Sequence, residues 1–434
     1  MTWQTLTLGE VCDAGGGEGE VKTGPFGSQL HESDYSDTGT PVVMPKDIIE
    51  GRVSERSVAR VSDDHVARLA QHQLVPGDIV YGRRGDIGRQ ALITERERGW
   101  LCGTGCLRVT LGASALDPTY LHYYLRDSAV IEGIAQQAIG ATMPNLNTGI
   151  LRGIRVRFPL RIQQRRIATI LSAYDDLIEN NTRRIAILEE MARRIYKEWF
   201  VRFRFPGFEA VRMVESELGL VPEGWQPASV ADVAAVSRGR SYKGTELADE
   251  GGLPFVNLKC MERDGGFRAS GLKRYTGNFK ESQTVRPGDM VMGITDMTQE
   301  RRIVARVGRV SGLDAAFGVF SMDLVRIASR GGHPDLYLYA MFRWSGFADE
   351  VKQHANGANV LHLLPARIEE YRFALPPPAL AVRFAELVGP MFSLCETLTQ
   401  KNANLRTTRD LLLPKLISGE LDVSAMPEPE PLTA

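Results

Sequence analysis

Two stretches of this chain, 217 residues apart, are copies of one another. Setting residue n against n+217 lays TYLHYYLRDS (119–128) on LYLYAMFRWS (336–345) without a gap, and GATMPNL (140–146) on GANVLHL (357–363). Across 119–159, eleven of 41 positions are identical, from Tyr120 and Leu121 to Arg155 and Pro159. Average composition gives roughly one match in fifteen. Upstream the register drifts as loop insertions would make it: LVPGDIVYG (74–82) falls on VRPGDMVMG (285–293), and Trp3 on Trp225. A unit near 200 residues is too long for a solenoid repeat. The pattern therefore predicts two similar domains in tandem, each followed by a similar helix.

Both halves run in the same order. Short β-type runs broken by Gly and Pro come first: TPVVM (40–44), GDIVYG (77–82) and LCGTGCLRVTL (101–111), then LPFVNLK (253–259), GDMVMGI (288–294) and FGVFSMDLVRI (317–327). A short helical stretch follows near 118–136 or 334–354, then an edge strand ending in proline (IRVRFP, 154–159; YRFALPPP, 371–378). A long helix closes each half. Segment 203–222 reads as a connector, and the Pro/Glu-rich end from 424 to 434 as a disordered tail.

The first closing helix has no Pro or Gly from Gln163 to Trp199. Ile167, Leu171, Tyr174, Ile178, Asn181, Ile185, Leu188, Ala192, Ile195 and Trp199 recur with 4,3 spacing, an a/d seam suited to a coiled coil. Its counterpart reads Phe384, Val388, Met391, Cys395, Leu398, Asn402, Leu405, Arg409, Leu412 and Leu416. Pro390 and Pro414 lie within this second helix, which is expected to be kinked or broken there. The reading is an α+β chain: two tandem mixed α/β domains (1–158 and 223–378), with helices 159–202 and 379–423 pairing as an antiparallel coiled coil. Antiparallel pairing of like helices implies pseudo-two-fold symmetry, with Asn181 and Asn402 as register devices. Such symmetry suits a target that has two halves, and duplex DNA is the obvious one.

Composition narrows the function by exclusion. Lys plus Arg number 52 against 53 Asp plus Glu, so the chain is no wholesale polycation. The balance hides a basic segment: residues 151–200 carry eleven basic and six acidic side chains, whereas 1–50 carry two and nine. Five scattered cysteines make no disulfide framework, and Cys102 and Cys106 read as strand-interior residues rather than metal ligands. No secretory leader and no run of 18 apolar residues are evident, which predicts a cytoplasmic protein with no membrane partner. There is no GxxxxGK[ST], HExxH, paired CxxC or GxSxG, and no NPPY- or DPPY-type loop; GRRGDIG (82–88) has the wrong spacing for a dinucleotide turn. The E-x-K triplets Glu20/Lys22 and Glu350/Lys352 are of a kind common by chance.

Recognition remains. Lys46, Arg83, Arg84 and Arg89 in the first half, and Lys259, Lys273, Arg274, Tyr275, Arg301 and Arg302 in the second, lie beside Gly, Asn and aromatic residues in equivalent loops. Arg suits guanine edges through its bidentate fork, and Lys suits phosphate. YGRRGDIGR (81–89) and ITDMTQERR (294–302) follow the same PGD-x-V strand, so both should lie on the same face of their domains.

At this point the chain resembles a known family, the DNA-specificity subunits of type I restriction–modification systems, over nearly its whole length. The motifs that carry the resemblance are GPFGSQL (24–30), PGDIVYGRRGDIGR (76–89), GATMPNLN (140–147) and QQRRIATILSAYDDLIENN (163–181). The second copy adds PEGW (222–225), PGDMVMG (287–293), LPPP (375–378) and LLLPKLISGELDV (411–423), with Gly419 as a helix C-cap. RGRSYKG (238–244) stands where GPFGS is expected.

The resemblance implies a non-catalytic subunit whose two domains each read half of a bipartite, asymmetric site in double-stranded DNA, with the helices setting the gap. It implies two methyltransferase (modification) subunits as partners, bringing S-adenosylmethionine, and restriction/translocase subunits that can join with ATP and Mg. This chain itself would hold no cofactor and no metal. The competing readings are a stand-alone DNA-modifying or DNA-cleaving enzyme, and a coiled-coil adaptor without sequence-specific DNA binding.

Overall fold

The computed structural model describes residues 3–26, 29–137 and 145–427. The chain divides into two compact units, 1–179 with 403–434, and 180–402. Each unit thus takes part of both long helices.

Unit 1 opens with Gln4–Thr7, which pairs antiparallel with Arg155–Phe158, so the predicted edge strand finds its partner at the far end of its own half. Thr7 caps the next helix reciprocally with Glu10, ending the strand at once. An antiparallel four-stranded sheet runs in the order Glu20–Thr23, Cys106–Thr110, Ile79–Gly82, Gln90–Leu92. A second sheet orders Ala59–Val61, Thr40–Val43 and Leu101–Cys102, the last two parallel. Ile79, Tyr81, Leu107, Tyr120, Val156 and Phe158 share a core with Ile167 and Leu171 of the first long helix and Leu413, Leu416 and Ile417 of the second.

Unit 2 repeats the plan with more strands. Its four-stranded sheet orders Ala234–Arg238, Leu324–Ser329, Met290–Gly293 and Val307–Arg309, all antiparallel. A five-stranded sheet holds Leu253–Val256 parallel to Gly318–Phe320, and Gln226–Ser229 pairs with Arg372–Leu375 as its counterparts do in unit 1. Trp225, Tyr337, Phe342 and Phe347 pack with Tyr196, Trp199 and Phe200 of the first long helix and Phe384, Val388 and Phe392 of the second.

The long helices are Arg161–Tyr196, closing in a π-turn at Lys197–Val201, and Pro378–Ser418. The second corrects the expectation drawn from its prolines: it runs unbroken through Pro390 and Pro414. Proline removes one i→i−4 hydrogen bond; next to Pro390, Val388 and Phe392 are seated in the unit 2 core, which holds the turn together. By length and composition alone this helix is apolar enough to cross a bilayer. A search for unbroken apolar runs misses that, because Arg383 and Glu386 interrupt the run. Ala381, Phe384 and Val388 are fully buried in unit 2, however, so one face of the helix is already covered by protein.

Within each unit the two helices touch and run in opposite directions. In unit 1 Asp175 bonds Arg409, while Arg166, earlier in the chain, donates to the carbonyl of Val423, later in it. In unit 2 Asn181 Nδ2 donates to Asn402 Oδ1 at 2.9 Å, and Trp199 packs edge-on to Phe384. Of the seam residues, Ile167, Leu171, Ile178, Ala192, Trp199, Phe384, Val388, Cys395, Leu398, Asn402, Arg409 and Leu416 are buried. Tyr174, Asn181, Ile185, Leu188, Ile195, Met391, Leu405 and Leu412 are half-buried. The seam drifts at its unit 2 end, where Tyr196 and Phe392 rather than Ile195 and Met391 are buried. That drift is what a straight 3.6-residue helix does to a strict heptad pattern.

Gly419 ends the second helix at φ +80, and a Cβ there would come 2.7 Å from the ring of Trp3. Arg157 lies over that same ring at 4.6 Å and donates to the carbonyl of Ser418. LPKLISG is therefore a docking end for the start of unit 1. The tail segment 428–434 lies outside the described residues.

Candidate nucleic-acid interface

The PGD motif of each half is a turn, not a chemical site. Gly77 and Gly288 take φ +92 and +93, and the following aspartate accepts the amide hydrogen three residues back: Val75 to Asp78 at 2.9 Å, Arg286 to Asp289 at 2.8 Å. Asp78 is buried, which pushes its carboxyl up to about 6 although it also accepts the hydroxyl of Thr110 at 2.5 Å. Each turn launches a buried strand (Ile79–Gly82, Met290–Gly293) whose far end opens into the arginine-bearing loops.

In unit 1 these loops meet at one end of the sheets. Arg83 N donates to the carbonyl of Gly105 and Gly24 N to that of Cys106, which ties three strand ends together. Arg89 donates to the carbonyl of Pro45 at 3.1 Å, fixing its loop beside Lys46. All four basic residues singled out in the first half thus share one end, but they are not alike. Arg83 is committed, its Nε donating to Asn145 Oδ1 at 3.1 Å and to the carbonyl of Leu146 at 3.2 Å. Lys46 donates to Ser57 O, and Arg89 pairs with Asp86 at 3.5 Å. Arg84 is exposed, beside the left-handed Gly85.

Unit 2 shows the same construction with a different filling. The bridge Arg84↔Asn145 has its counterpart in Thr295↔His362, where Thr295–Asp296 pairs with Leu361–His362. So in both units the loop after the PGD strand is pinned to the loop carrying the repeated GA-x-x-x-x-L motif. Residues 140–144 of that motif lie outside the described residues. Buried Asp296 closes the unit 2 loop by accepting from the amides of Thr298 and Ile303 at 2.9 and 2.8 Å. Arg301 sits at φ +53, its guanidinium turned inward to Gln353. Arg302 is exposed and pairs with Glu300 at 2.5 Å. Lys259 and Lys273 are exposed near the same strand ends, since Lys273 pairs with Phe255 one residue before that strand ends.

Two of the singled-out residues are placed otherwise. Tyr275 is 2 % exposed, stacked on Phe255 at 5.2 Å with its hydroxyl donated to the carbonyl of Asn278. It is a core ring, and burial removes it from any surface contact. Arg274 forks onto Asp314. Sequence reasoning looked for cations and so passed over Phe26 and Met297, which are 62 % and 69 % exposed at these loop ends. The only sequence signal for either was an apolar residue inside a Gly- or Thr-rich loop.

Among the described residues no three His, Cys, Asp or Glu side chains gather as a metal site. All five cysteines are free and buried, and burial pushes the Cys102 thiol up to about 12. Glu20 lies 3.9 Å from Lys22 but is also bonded to Arg108, and Lys352 is bonded to Asp349, so each E-x-K triplet has a member engaged by a residue outside it.

Residues 1–190 match the type I restriction modification DNA specificity domain. A relative from Methanocaldococcus jannaschii, the type I restriction enzyme MjaIX specificity subunit, is 25 % identical over 403 residues, covering 91 % of this chain and 89 % of the relative. The HindI specificity subunit of Haemophilus influenzae is 22 % identical, covering 86 % and 93 % of the two chains. In fold, the chain is similar to the crystal structure of a type I S subunit from M. genitalium, at a TM-score of 0.57 and 15 % identity, with 96 % of each chain covered. Residues 1–190 thus carry the type I restriction modification DNA specificity domain, and over nearly its whole length the chain is similar to the specificity subunits of type I restriction–modification systems.

Proposed function

We propose that each unit reads one half of a two-part site in double-stranded DNA with the sheet end that carries its basic loops. The gathering of Lys46, Arg83, Arg84 and Arg89 at one such end supports this most directly. Within it the labour divides. Arg84 faces outward and is the base or phosphate contact, whereas Arg83 holds the loop against Asn145. In unit 2 the outward cations are Lys259, Lys273 and Arg302. The chain itself carries recognition, not catalysis. It scaffolds two methyltransferase subunits that bring S-adenosylmethionine for adenine methylation, and restriction/translocase subunits that use ATP and Mg. The antiparallel helices, wound as a coiled coil, act as the spacer between the halves of the site, and the complex works in the cytoplasm, where the DNA lies.

Co-expression with the methyltransferase subunit, followed by methylome sequencing, tests this reading. The expected result is adenine methylation at a two-part motif with an unspecific gap, only when both proteins are present. Exchanging 1–158 or 223–378 for a relative's segment should change one half of the motif alone. Methylation or cleavage by this chain on its own would overturn the proposal. For the loop itself, Arg84→Ala should lower affinity and reduce the salt dependence of binding by about one counterion if the contact is to phosphate. Unchanged binding at low salt would remove Arg84 from the interface.

A further inference from the structure

Although the long helices arise from one duplicated segment, their polar seam residues are complementary, not alike. Asp175 of the first helix and Arg409 of the second form an ion pair in which each side chain is 9 % exposed. Asp175 also accepts the Tyr123 hydroxyl at 2.9 Å and an Arg126 guanidinium hydrogen at 2.7 Å. Burial opposes its ionisation, yet Arg126 and Arg409 hold its carboxyl below the usual range. The second contact joins Asn181 to Asn402, whose own Nδ2 donates to Thr182 Oγ1 at 3.2 Å.

The 217-residue repeat makes it possible to ask what these side chains would meet if two copies of the same helix paired in the same register. The first-copy counterparts of Arg409 and Asn402 are Ala192 and Ile185, so a like pair of first helices sets Asp175 against Ala192 and Asn181 against Ile185. The second-copy counterparts of Asp175 and Asn181 are Phe392 and Leu398, so a like pair of second helices sets Arg409 against Phe392 and Asn402 against Leu398. Each of these four side chains thus meets an apolar residue in its like pair in place of the polar partner it has in the unlike one. Asp175 keeps Arg126 and Tyr123, and Arg409 keeps Asp410, but each loses a partner it has in the unlike pair, and a polar residue in an apolar seam is a known means of fixing partner and register.

We propose that Asp175·Arg409 and Asn181·Asn402 form a pairing code that directs the first long helix to the second and excludes pairing between like helices of two chains. The apolar seam supplies adhesion, and the polar contacts supply choice. The code is independent of any DNA contact, so its failure and that of the recognition proposal are separable.

Light scattering on the full-length chain tests it. Wild type should be monomeric at every concentration tried. Asn181→Leu with Asn402→Leu should keep or raise the melting temperature, and the triple variant that adds Arg409→Leu should lower it by taking one cation from buried Asp175; both should form dimers that grow with concentration. Asn181→Asp with Asn402→Lys rewrites the code with complementary charge and should restore the monomer. A code is ruled out if the leucine variants stay monomeric at all concentrations, or if wild type is as dimeric as they are. A fall in melting temperature without association in Asn181→Leu/Asn402→Leu also overturns it, since that is the signature of a contact that only stabilises.

Discussion

Arg126 and Arg343 are counterparts in the repeat, and each reaches from its domain to the first long helix, but the two clasps are built differently. Arg126 meets buried Asp175, which is shared with Tyr123 and Arg409. Arg343 meets Glu189, whose side chain is 35 % exposed, and leans on aromatic rings, donating to the Tyr339 hydroxyl at 2.7 Å and lying over the ring of Trp344 at 5.7 Å. Where unit 1 has Asp175, the repeat puts Phe392 in unit 2, stacked on Trp344 at 6.1 Å. Where unit 1 has buried His122, unit 2 has Tyr339. Duplication kept the arginine and its position, while the partners diverged from an ionic network to an aromatic one. Position in a fold is inherited more faithfully than the chemistry that fills it.

The contrast can be broken most severely at the acids. Asp175→Ala leaves the Arg126 guanidinium without its anion and Arg409 with only the exposed Asp410, and should cost about 3 kcal/mol. Glu189→Ala, at a partly solvated site where Arg343 keeps Tyr339, should cost about 1 kcal/mol. Urea unfolding followed by hydrogen exchange in each unit measures both, and equal losses would show the clasps to be equivalent after all.

Acid should separate the units next. Burial, with the nearby Arg126, depresses the His122 imidazole to about 3, whereas in the unfolded chain it titrates near 6.5. Protonation then favours the unfolded chain, so this contribution is complete above about pH 6.5 and is lost as pH falls toward 3. At pH 5 the loss is about 2 kcal/mol. Asp175, held below the ordinary range, acts in the same direction at lower pH still. Protection factors at 120–126, taken relative to the intrinsic exchange rate at each pH, should therefore fall between pH 7 and 5 more than at 337–343. A parallel fall in both would mean that His122 is not what makes unit 1 sensitive.

The smallest effect belongs to Arg406, the repeat counterpart of Glu189. It pairs with Glu50 with both side chains largely in water, 37 % and 58 % exposed. Arg406→Ala should change stability by less than about 0.5 kcal/mol, vanishing in high salt. A larger loss would mark a third clasp.

Much of this was legible from the residues alone, and for a physical reason. Repeats, turn glycines and alternating strands are local patterns, so the tandem units, the PGD-led strands and the strand ending at Pro159 could be read, whereas that strand's pairing with Gln4–Thr7 could not. The gathering of the arginine loops could be read, because the same strand launches them in both halves. Partner choice depends on long-range packing and was not readable. Arg83 and Arg84 are adjacent in sequence, yet only one faces outward; Tyr275 is a core ring although its neighbours are cations. Pro390 is a helix breaker by local rule, and tertiary burial of Val388 and Phe392 overrides that rule. Asp175 lies one residue off the heptad reading and so escaped it, though it anchors the unit 1 clasp.

The division into units has a consequence for how the molecule is made. Unit 1 is the first to leave the ribosome and the last to be finished, because residues 403–434 belong to it and unit 2 is synthesised in between. Until they emerge, Ile167 and Leu171 have no Leu413, Leu416 or Ile417 to pack against, and Asp175 has no Arg409. A message cut short after unit 2 thus yields one domain that can close and one that cannot. Synthesis of the second helix's last turns is itself the step that locks the unit begun first.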